Sequence, residues 1–597
     1  MNSLADKQTE RRFNIAFITL FSLLFLLAPS YYQPNQGGEG LFLPFNNVVW
    51  IVVSFILGLA LLKVLHTGHL YVPSMTYVMF FFLGTTTILG MVNSVATPVP
   101  WLFRSLALWG GVFFFIAMAQ FKLNRRWQDN LLYIIMISAA IQSIYGLIQV
   151  LITDPAPSWL PMSPGFPRGI FQQTNLNASF SATGLIIALY LITSASYGNR
   201  KLIIQALPLA AAALCIATLV SAGSRVGLTG AAIGITLLIV TRFHKVWRSK
   251  NAITLFIIFT AASAILTTQL DTHTGGLETG VKKFSSAIKD SSHRSAIYES
   301  SWELIKEKPL LGYGIGQFQK VWHEKKIEYI KNHPEAPVMP HRLSHPHNEL
   351  LYWAVEGGAI AVLGILLMML SVFWYCSRLG IQEGGKHLAL LIPIGIHTQV
   401  ELPFYISQLH WITFITILAM IATHQRKIIP TNLSSYARVT SLSIAFAIPV
   451  LATTFFTDSL SAINSTINFL VNKNKDIRAL EQPAKNIYHL ENVNLLRMRI
   501  LLHAGLDENN EELLREYVSM AFARLTNTPD INVFNGLAVA LHHLKDYDTS
   551  HQVIGRALAI YPTTPLTLAG RDKIMELDRK AGIFDQYWRS VPTPDPQ

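Results

Sequence analysis

The chain has 597 residues, of which 51% are hydrophobic and only 14% charged, with a formal net charge of +12. About a quarter of the residues in a soluble protein are charged, so a set of soluble domains is excluded. Apolar runs of about 20 residues recur over the first three quarters and read as membrane spans. The positive balance does not indicate nucleic acid, because the basic residues cluster in short loops between the runs, as the positive-inside rule describes.

In chain order the hydropathy predicts about thirteen spans: 13–29, 46–65, 71–91, 101–121, 130–152, 175–195, 202–221, 226–241, 252–270, 349–376, 387–404, 408–424 and 439–457. The first follows a charged start and lacks a small-residue cleavage pattern, so it reads as an uncleaved span. Cys215 and Cys376 both lie in apolar runs and imply no disulfide framework. Alternate loops carry Lys7/Arg11/Arg12, Lys63, Lys122/Arg125/Arg126, Arg200/Lys201, Arg242/Lys245/Arg248/Lys250, Arg378/Lys386 and Arg426/Lys427/Arg438. The short loops between them carry almost none apart from Arg168 and Arg225. The expected fold is therefore an all-α polytopic membrane protein with a cytoplasmic N-terminus and its C-terminus outside.

Five regions follow: N-terminal spans over 1–164, a second membrane region over 165–270, a large outer loop over 271–348, C-terminal spans over 349–458, and an outer helical domain over 459–597. Within the loop, 292–308 has Ile297, Trp302, Leu304 and Ile305 at helical spacing, predicting a helix resting on the membrane surface. Pro309 stops it, and Leu311 to Gly316 reads as a flexible turn. In the tail, Phe534, Leu537, Ala538, Ser550, Ile554, Ala557 and Pro562 fit a degenerate tetratricopeptide template, which must pack on neighbouring helices.

The outer edge collects the polar groups. Arg104 lies one turn inside the fourth span, and Arg168 precedes Phe171-Gln172-Gln173-Thr174-Asn175. Arg225 occupies an outer hairpin and Arg294 the large loop. His397 and Glu401 stand four apart, on one face of a helix. At Ser344-His345-Pro346-His347-Asn348-Glu349 the loop meets a hydrophobic helix. There Pro346 disfavours helical geometry for His345, and the helix start favours negative charge. Charges at this depth usually face a cavity or each other. Arginines converging on a cavity suit phosphate, because the guanidinium fork binds its oxygens in pairs. The amide run suits sugar hydroxyls.

Each residue has an ordinary alternative. Arg104 and Arg225 can anchor to headgroups, Arg294 can belong to a solvated face, Glu401 can partner His397 or an arginine, and the Gln-Gln-Thr-Asn run can simply begin a helix. His341, His345 and His347 invite a metal, but no carboxylate or cysteine cluster at ligand spacing accompanies them, so none is expected. Gly312 to Gly316 is no P-loop, since no Gly-Lys-Ser/Thr follows.

His347-Asn348 followed by nine residues and Gly358 resembles the signature of the bacterial O-antigen ligase and polymerase superfamily. Arg168-Gly169-Ile170-Phe171-Gln172-Gln173-Thr174-Asn175 is similar to the glycan-ligase motif of its protein O-oligosaccharyltransferase branch (PglL type), as is Ile396-His397-Thr398-Gln399-Val400-Glu401-Leu402-Pro403. Pro309-Leu310-Leu311-Gly312-Tyr313-Gly314 resembles the superfamily's loop signature. The resemblance covers most of about 165–425 and, more weakly, the tail.

It implies a metal-independent membrane glycosyltransferase of the GT-C kind in the bacterial inner membrane, without cofactor, with the C-terminal domain in the periplasm. The partners implied are an undecaprenyl-diphosphate-linked glycan, surrounding membrane lipid and an acceptor protein such as pilin, with no nucleic acid. By the same resemblance His347 is the essential loop histidine and Arg225 and Arg294 face the diphosphate; His345, two residues earlier, leaves open which imidazole acts. An imidazole titrating near neutrality suits a general base. Glu401 would orient a histidine or arginine, while Gln172, Gln173 and Asn175 would position sugar hydroxyls. Arg104, Arg168, His345, Asn348 and His397 complete the expected binding set. Within the superfamily the acceptor could instead be lipid A core or a growing O-antigen chain. From other classes, a lipid-linked sugar transporter would place its polar groups at the midplane, and a non-catalytic scaffold would not need the outer arginines.

Overall fold

A computed structural model of the chain describes residues 2–93, 98–121, 124–152, 158–269, 294–333, 339–340, 343–423, 425–472 and 476–588. His341 and much of the 271–348 loop lie outside them. The membrane part begins with α1 (Asn2–Ser22), α2 (Pro44–Thr67), α3 (Met75–Asn93), α4 (Pro98–Ala119) and α5 (Arg125–Leu151). It continues with α6 (Thr174–Ile192), α7 (Leu202–Ala222), α8 (Arg225–Thr241), the short α9 (Phe243–Arg248) and α10 (Lys250–Thr268). After α11 (294–307) and α12 (Phe318–Asn332) come α13 (Glu349–Arg378), α14 (Ile381–His397), the single turn α15 (Pro403–Ile406), α16 (Gln408–Ala422) and α17 (Ser435–Val471). Ten described helices are long and apolar enough to cross a membrane, and α8 and α16 are shorter apolar helices. The protein is thus an all-α, multi-pass membrane protein.

The centre of the bundle is α6, buried along almost its whole length. A helix carrying Asn177, Ser179, Ser181 and Thr183 can sit there because these groups bond within protein rather than facing lipid. Asn177 Nδ2 donates to the Pro167 carbonyl (3.0 Å), Thr183 Oγ1 to the Ser179 carbonyl (3.0 Å), and Ser181 shares a bond with Ser143 of α5 (3.0 Å). Small residues permit the close approach: Gly184 lies against Ala139 and Cys215, and Gly227 of α8 against Ala178.

Basic residues from alternate loops gather at one end, as their spacing predicts. There Glu383 lies 3.0 Å from Lys386 and 3.6 Å from both Arg242 and Lys245. The antiparallel strands His69–Pro73 and Arg426–Pro430 close that end. The opposite, upper end carries α11, α12 and the C-terminal domain.

Two expectations for the large loop are corrected here. Ile297 and Leu304 of α11 are buried in a cluster with Phe318, Trp322 and Tyr352, so the helix packs on protein, leaving Trp302 exposed. The segment 309–316 is no flexible turn. It lies across α13, with Tyr313 N–H donating to the Val355 carbonyl (2.9 Å), Gly314 N–H to Glu356 (2.8 Å) and Ala359 N–H to Pro309 (2.8 Å). Helix α13 opens to receive it at Gly358, whose φ of 62° and ψ of −164° interrupt the helical ladder.

The C-terminal domain begins inside α17, a continuous helix that runs past residue 459 without a break. After the short α18 (Glu481–Ala484) it continues as α19 (Leu490–Asp507), α20 (Glu511–Leu525), α21 (Ile531–His543), α22 (Tyr547–Ile560), α23 (Pro565–Ala581) and α24 (Phe584–Trp588). The α21–α22 hairpin occupies the stretch matched to the repeat template, with Phe534, Leu537, Ala538, Ser550, Ile554 and Ala557 buried. Neighbouring helices cover it: Tyr517 Oη donates to Val533 from α20, and Asn535 Nδ2 donates to Leu566 of α23 (2.8 Å). The domain also docks on α12, where His323 meets the Tyr561 ring (5.8 Å) and Arg556 lies 3.7 Å from Glu324.

Candidate functional site

The site is assembled by the start of α13 hooking onto the turn after α14. Asn348 caps α13, its Oδ1 accepting the Leu351 N–H (2.9 Å), while its Nδ2 donates to the Gln399 carbonyl (3.1 Å). Glu349 N–H donates to the Thr398 carbonyl (2.8 Å). The side chain of Asn348 is thereby committed to positioning, which corrects its expected part in substrate binding.

These ties bring Glu401 to His347, with Oε1 3.2 Å from Nδ1. Because a carboxylate can only accept, Nδ1 donates, and in the neutral imidazole Nε2 then carries the lone pair. The His347 side chain retains 30% exposure. Its backbone sits at φ 56°, a left-handed conformation that costs a non-glycine residue about 1–2 kcal/mol and that recurs at functional sites. His345 packs edge-on to it, ring centroids 4.6 Å apart, and its Nδ1 accepts the His347 backbone N–H (3.3 Å). Burial, reinforced by the neighbouring His347 and Arg104, pushes the His345 imidazole down to about 4. His345 is thus a neutral acceptor at physiological pH, committed to shaping the loop that displays His347.

Two guanidinium groups accompany the pair. Arg294 opens α11, and Tyr298, one turn later, interacts electrostatically with both Arg294 and Glu401. Arg225 is exposed and opens α8 behind its N-cap Ser224. Helices α8 and α14 run antiparallel in tight contact: a Cβ on Gly230 would lie 2.9 Å from Pro393, and one on Gly234 would lie 3.0 Å from the Ala389 carbonyl. That register sets Arg225, five residues before Gly230, level with Thr398, five after Pro393. Asn175 fixes this end of α8, its Oδ1 accepting from Ser224 Oγ (2.8 Å). Neither arginine forms an ion pair with a carboxylate among the described residues.

A cavity of about 440 Å³ is lined by Asn35 to Gly38, Pro161 to Ser163, Arg168, Phe171 to Gln173 and Ile406. Its wall is stapled by two glutamines of α5. Gln149 exchanges bonds with Gly169 (2.7 and 3.1 Å) and donates to Pro161, while Gln142 accepts from Ile170 N–H (3.1 Å). Arg168, Gln172 and Gln173 therefore line one cavity. The lining segment 35–38 was not anticipated; its Gly37-Gly38 pair, both at positive φ, was the only signal.

Two expected residues are engaged within the protein. Arg104 is spent internally: it pairs with buried Glu356, donates to Tyr352 Oη (2.5 Å) and stacks on the Tyr352 and Tyr405 rings. Glu356 in turn accepts the N–H groups of Gly316 (3.0 Å) and Phe318 (3.1 Å), so this pair fastens the loop to α13. His397 is completely buried, with Nδ1 2.8 Å from Ser179 Oγ and its ring beside His410. It braces α14 against α6, and the partner of Glu401 is His347.

His345, His347 and Glu401 each offer one metal-ligating atom, all within 4.8 Å of one another. In the observed arrangement the His347 imidazole is hydrogen-bonded to Glu401, His345 Nδ1 accepts the His347 backbone N–H, and no fourth His, Cys, Asp or Glu joins the group among the described residues.

The described residues thus combine a membrane-embedded helical bundle with a histidine–carboxylate pair and two arginines that form no ion pair with a carboxylate. Comparison with known proteins supplies the family. The family model described as O-antigen ligase matches residues 210–369, which contain Arg225, Arg294, His347 and Gly358. A second, described as virulence factor membrane-bound polymerase, C-terminal, matches 387–569, which contain Glu401 and most of the C-terminal domain. The chain belongs to the O-antigen ligase and polymerase superfamily. It is also similar, at 27% identity over 138 residues, to a Rickettsia conorii protein named "putative polysaccharide ligase"; the alignment covers 22% of this chain and 31% of that protein.

Proposed function

We propose that the protein transfers an oligosaccharide from undecaprenyl diphosphate to Ser or Thr hydroxyls of a periplasmic acceptor protein such as pilin. The observation that carries this reading is the hydrogen bond between His347 and Glu401 (3.2 Å), and Arg225 and Arg294, which form no ion pair with a carboxylate among the described residues, support it. In the proposed step His347 Nε2 takes the proton of the acceptor hydroxyl as its oxygen bonds to the anomeric carbon. The bond from that carbon to the diphosphate oxygen breaks, and the electron pair leaves with the diphosphate. Arg225 and Arg294 stabilise the charge that builds there, the kind of term that usually dominates catalysis. Glu401 holds the imidazole in the required tautomer, as a general base needs. The reaction calls on no metal.

The C-terminal helical domain supports a protein acceptor, because stacked helical hairpins offer an extended surface to a polypeptide. A second reading, ligation to lipid A core or O-antigen polymerisation, draws on the ligase and polymerase descriptions of the matching families. Purified protein supplied with a lipid-linked glycan and offered pilin, other periplasmic proteins or lipid A core separates them by mass spectrometry. Sugar on protein is expected. Sugar on lipid A core alone overturns the protein-acceptor reading, and no transfer to any acceptor overturns both.

A further inference from the structure

The segment 31–43, between the first two spans, touches two parts of the molecule at once. On one side Asn35 to Gly38 line the cavity. On the other, the segment is fastened to the C-terminal domain: Asn492 Nδ2 donates to Gln36 Oε1 (2.8 Å), and Leu41 N–H donates to Tyr488 Oη (3.1 Å). The Tyr488 ring packs on Phe42 (5.2 Å) and, from α4, on Phe103 (4.8 Å). Within the segment an Asx turn fixes the backbone, Gly37 N–H donating to Asn35 Oδ1 (2.8 Å).

The cavity's chemistry suits uncharged hydroxyl groups. Its lining supplies amides from Gln36, Gln172 and Gln173, the guanidinium of Arg168 and the ring of Phe171, and contains no carboxylate. Gln173 Oε1 is buried without a hydrogen-bond partner among the described residues. Such an acceptor is costly until a donor reaches it, and a sugar hydroxyl is one. The volume falls in the range of about 300–1,000 Å³ typical of small-ligand pockets. Short stretches of chain link the cavity to the proposed transfer point: Ile406 lies five residues after Glu401, and Gln173 two before Asn175, which holds Ser224 next to Arg225.

Building on the transferase reading, we propose that this cavity seats the sugar units next to the diphosphate, and that the C-terminal domain sets its width through Asn492 and Tyr488. Gln36 is a specificity-determining residue at its rim, and Asn492 is a positioning residue.

The test uses the full chain in nanodiscs and two probes: the lipid-linked oligosaccharide purified from the native host, and undecaprenyl diphosphate without sugar. Wild-type protein binds the first more tightly. The ratio of the two affinities falls about tenfold in Gln36→Ala and several-fold in Asn492→Ala, while the affinity for the bare lipid is retained. An unchanged ratio in both variants overturns the proposal, as does a parallel loss for both probes, the mark of general loosening. If wild-type protein binds both lipids equally, the sugar subsite falls and the transferase reading stands. If it binds neither, the transferase reading falls and takes the subsite with it.

Discussion

Gly312 and Gly358 meet backbone against backbone: a Cβ built on Gly358 would lie 2.7 Å from the Gly312 nitrogen, and one on Gly312 would lie 2.5 Å from the Glu356 carbonyl carbon. Both glycines have positive φ, 64° and 62°. The nine residues that separate Asn348 from Gly358 are therefore a length requirement. They span the stretch of α13 from its capped start on the 398–401 turn to the break that admits the loop.

Gly358→Ala adds left-handed strain of about 1–2 kcal/mol and overpacking of about 1–3 kcal/mol. The expected outcome is a fall of several degrees in thermal unfolding followed by tryptophan fluorescence in detergent. An unchanged midpoint contradicts the contact described.

His347→Asn keeps a side chain that tolerates positive φ while removing the base. Loss of a general base costs about 10²–10⁴-fold, so transfer falls by at least about a hundredfold with membrane insertion intact. Glu401→Gln retains a hydrogen-bonding partner and costs less, about tenfold. Full activity in His347→Asn rules out the role given to that imidazole.

Replacing Arg225 or Arg294 by Lys keeps the charge and loses the paired donors. Each Lys variant is expected to transfer about tenfold more slowly, and each Ala variant about a hundredfold or more, within the range seen when a transition-state donor is removed. Steady-state rates against lipid-linked glycan concentration measure this. An effect on KM alone would mean that these arginines bind the lipid without aiding departure of the diphosphate.

The depressed pKa of His345 gives stability a pH dependence of definite sign. An unfolded imidazole titrates near ~6.5, whereas the folded group titrates at about 4. Between these values the unfolded chain binds a proton that the folded protein does not, so stability is full above the upper value and is lost as pH falls toward the lower. Thermal midpoints recorded from pH 7.5 to 4.5 should decline in the wild type and decline less in His345→Asn. Equal slopes would place the acid sensitivity elsewhere.

Chelation tests the His345, His347 and Glu401 trio. EDTA treatment is expected to leave transfer unchanged, since His347 Nδ1 is taken up by Glu401 and His345 Nδ1 by the His347 backbone N–H. Loss of activity restored by zinc would instead make the trio a metal centre.

Much of this architecture was legible in the sequence because bilayer thickness and basic-loop placement constrain helix position strongly. The all-helical, multi-pass character follows from such local signals, although ten described helices, against about thirteen expected spans, are long and apolar enough to cross a membrane. The errors have a common origin. Arg104, His397 and Asn348 are polar residues at the right depth, yet Glu356, Ser179 and Gln399 engage them, and those partners lie 252, 218 and 51 residues away. Periodicity cannot reveal pairings that distant. The Asn35–Gly38 wall was missed for the same reason, since its meaning depends on Arg168 across the cavity and Asn492 behind it.

The C-terminal domain grips the membrane part at two separated places, Tyr561 against α12 and Tyr488 against the 31–43 segment. Grafting the corresponding domain from a relative would therefore leave mismatched seams at both, even if every helix of the graft folded well. Exchanging the terminal module between members of this superfamily calls for moving it together with 31–43 and 318–332 as one unit.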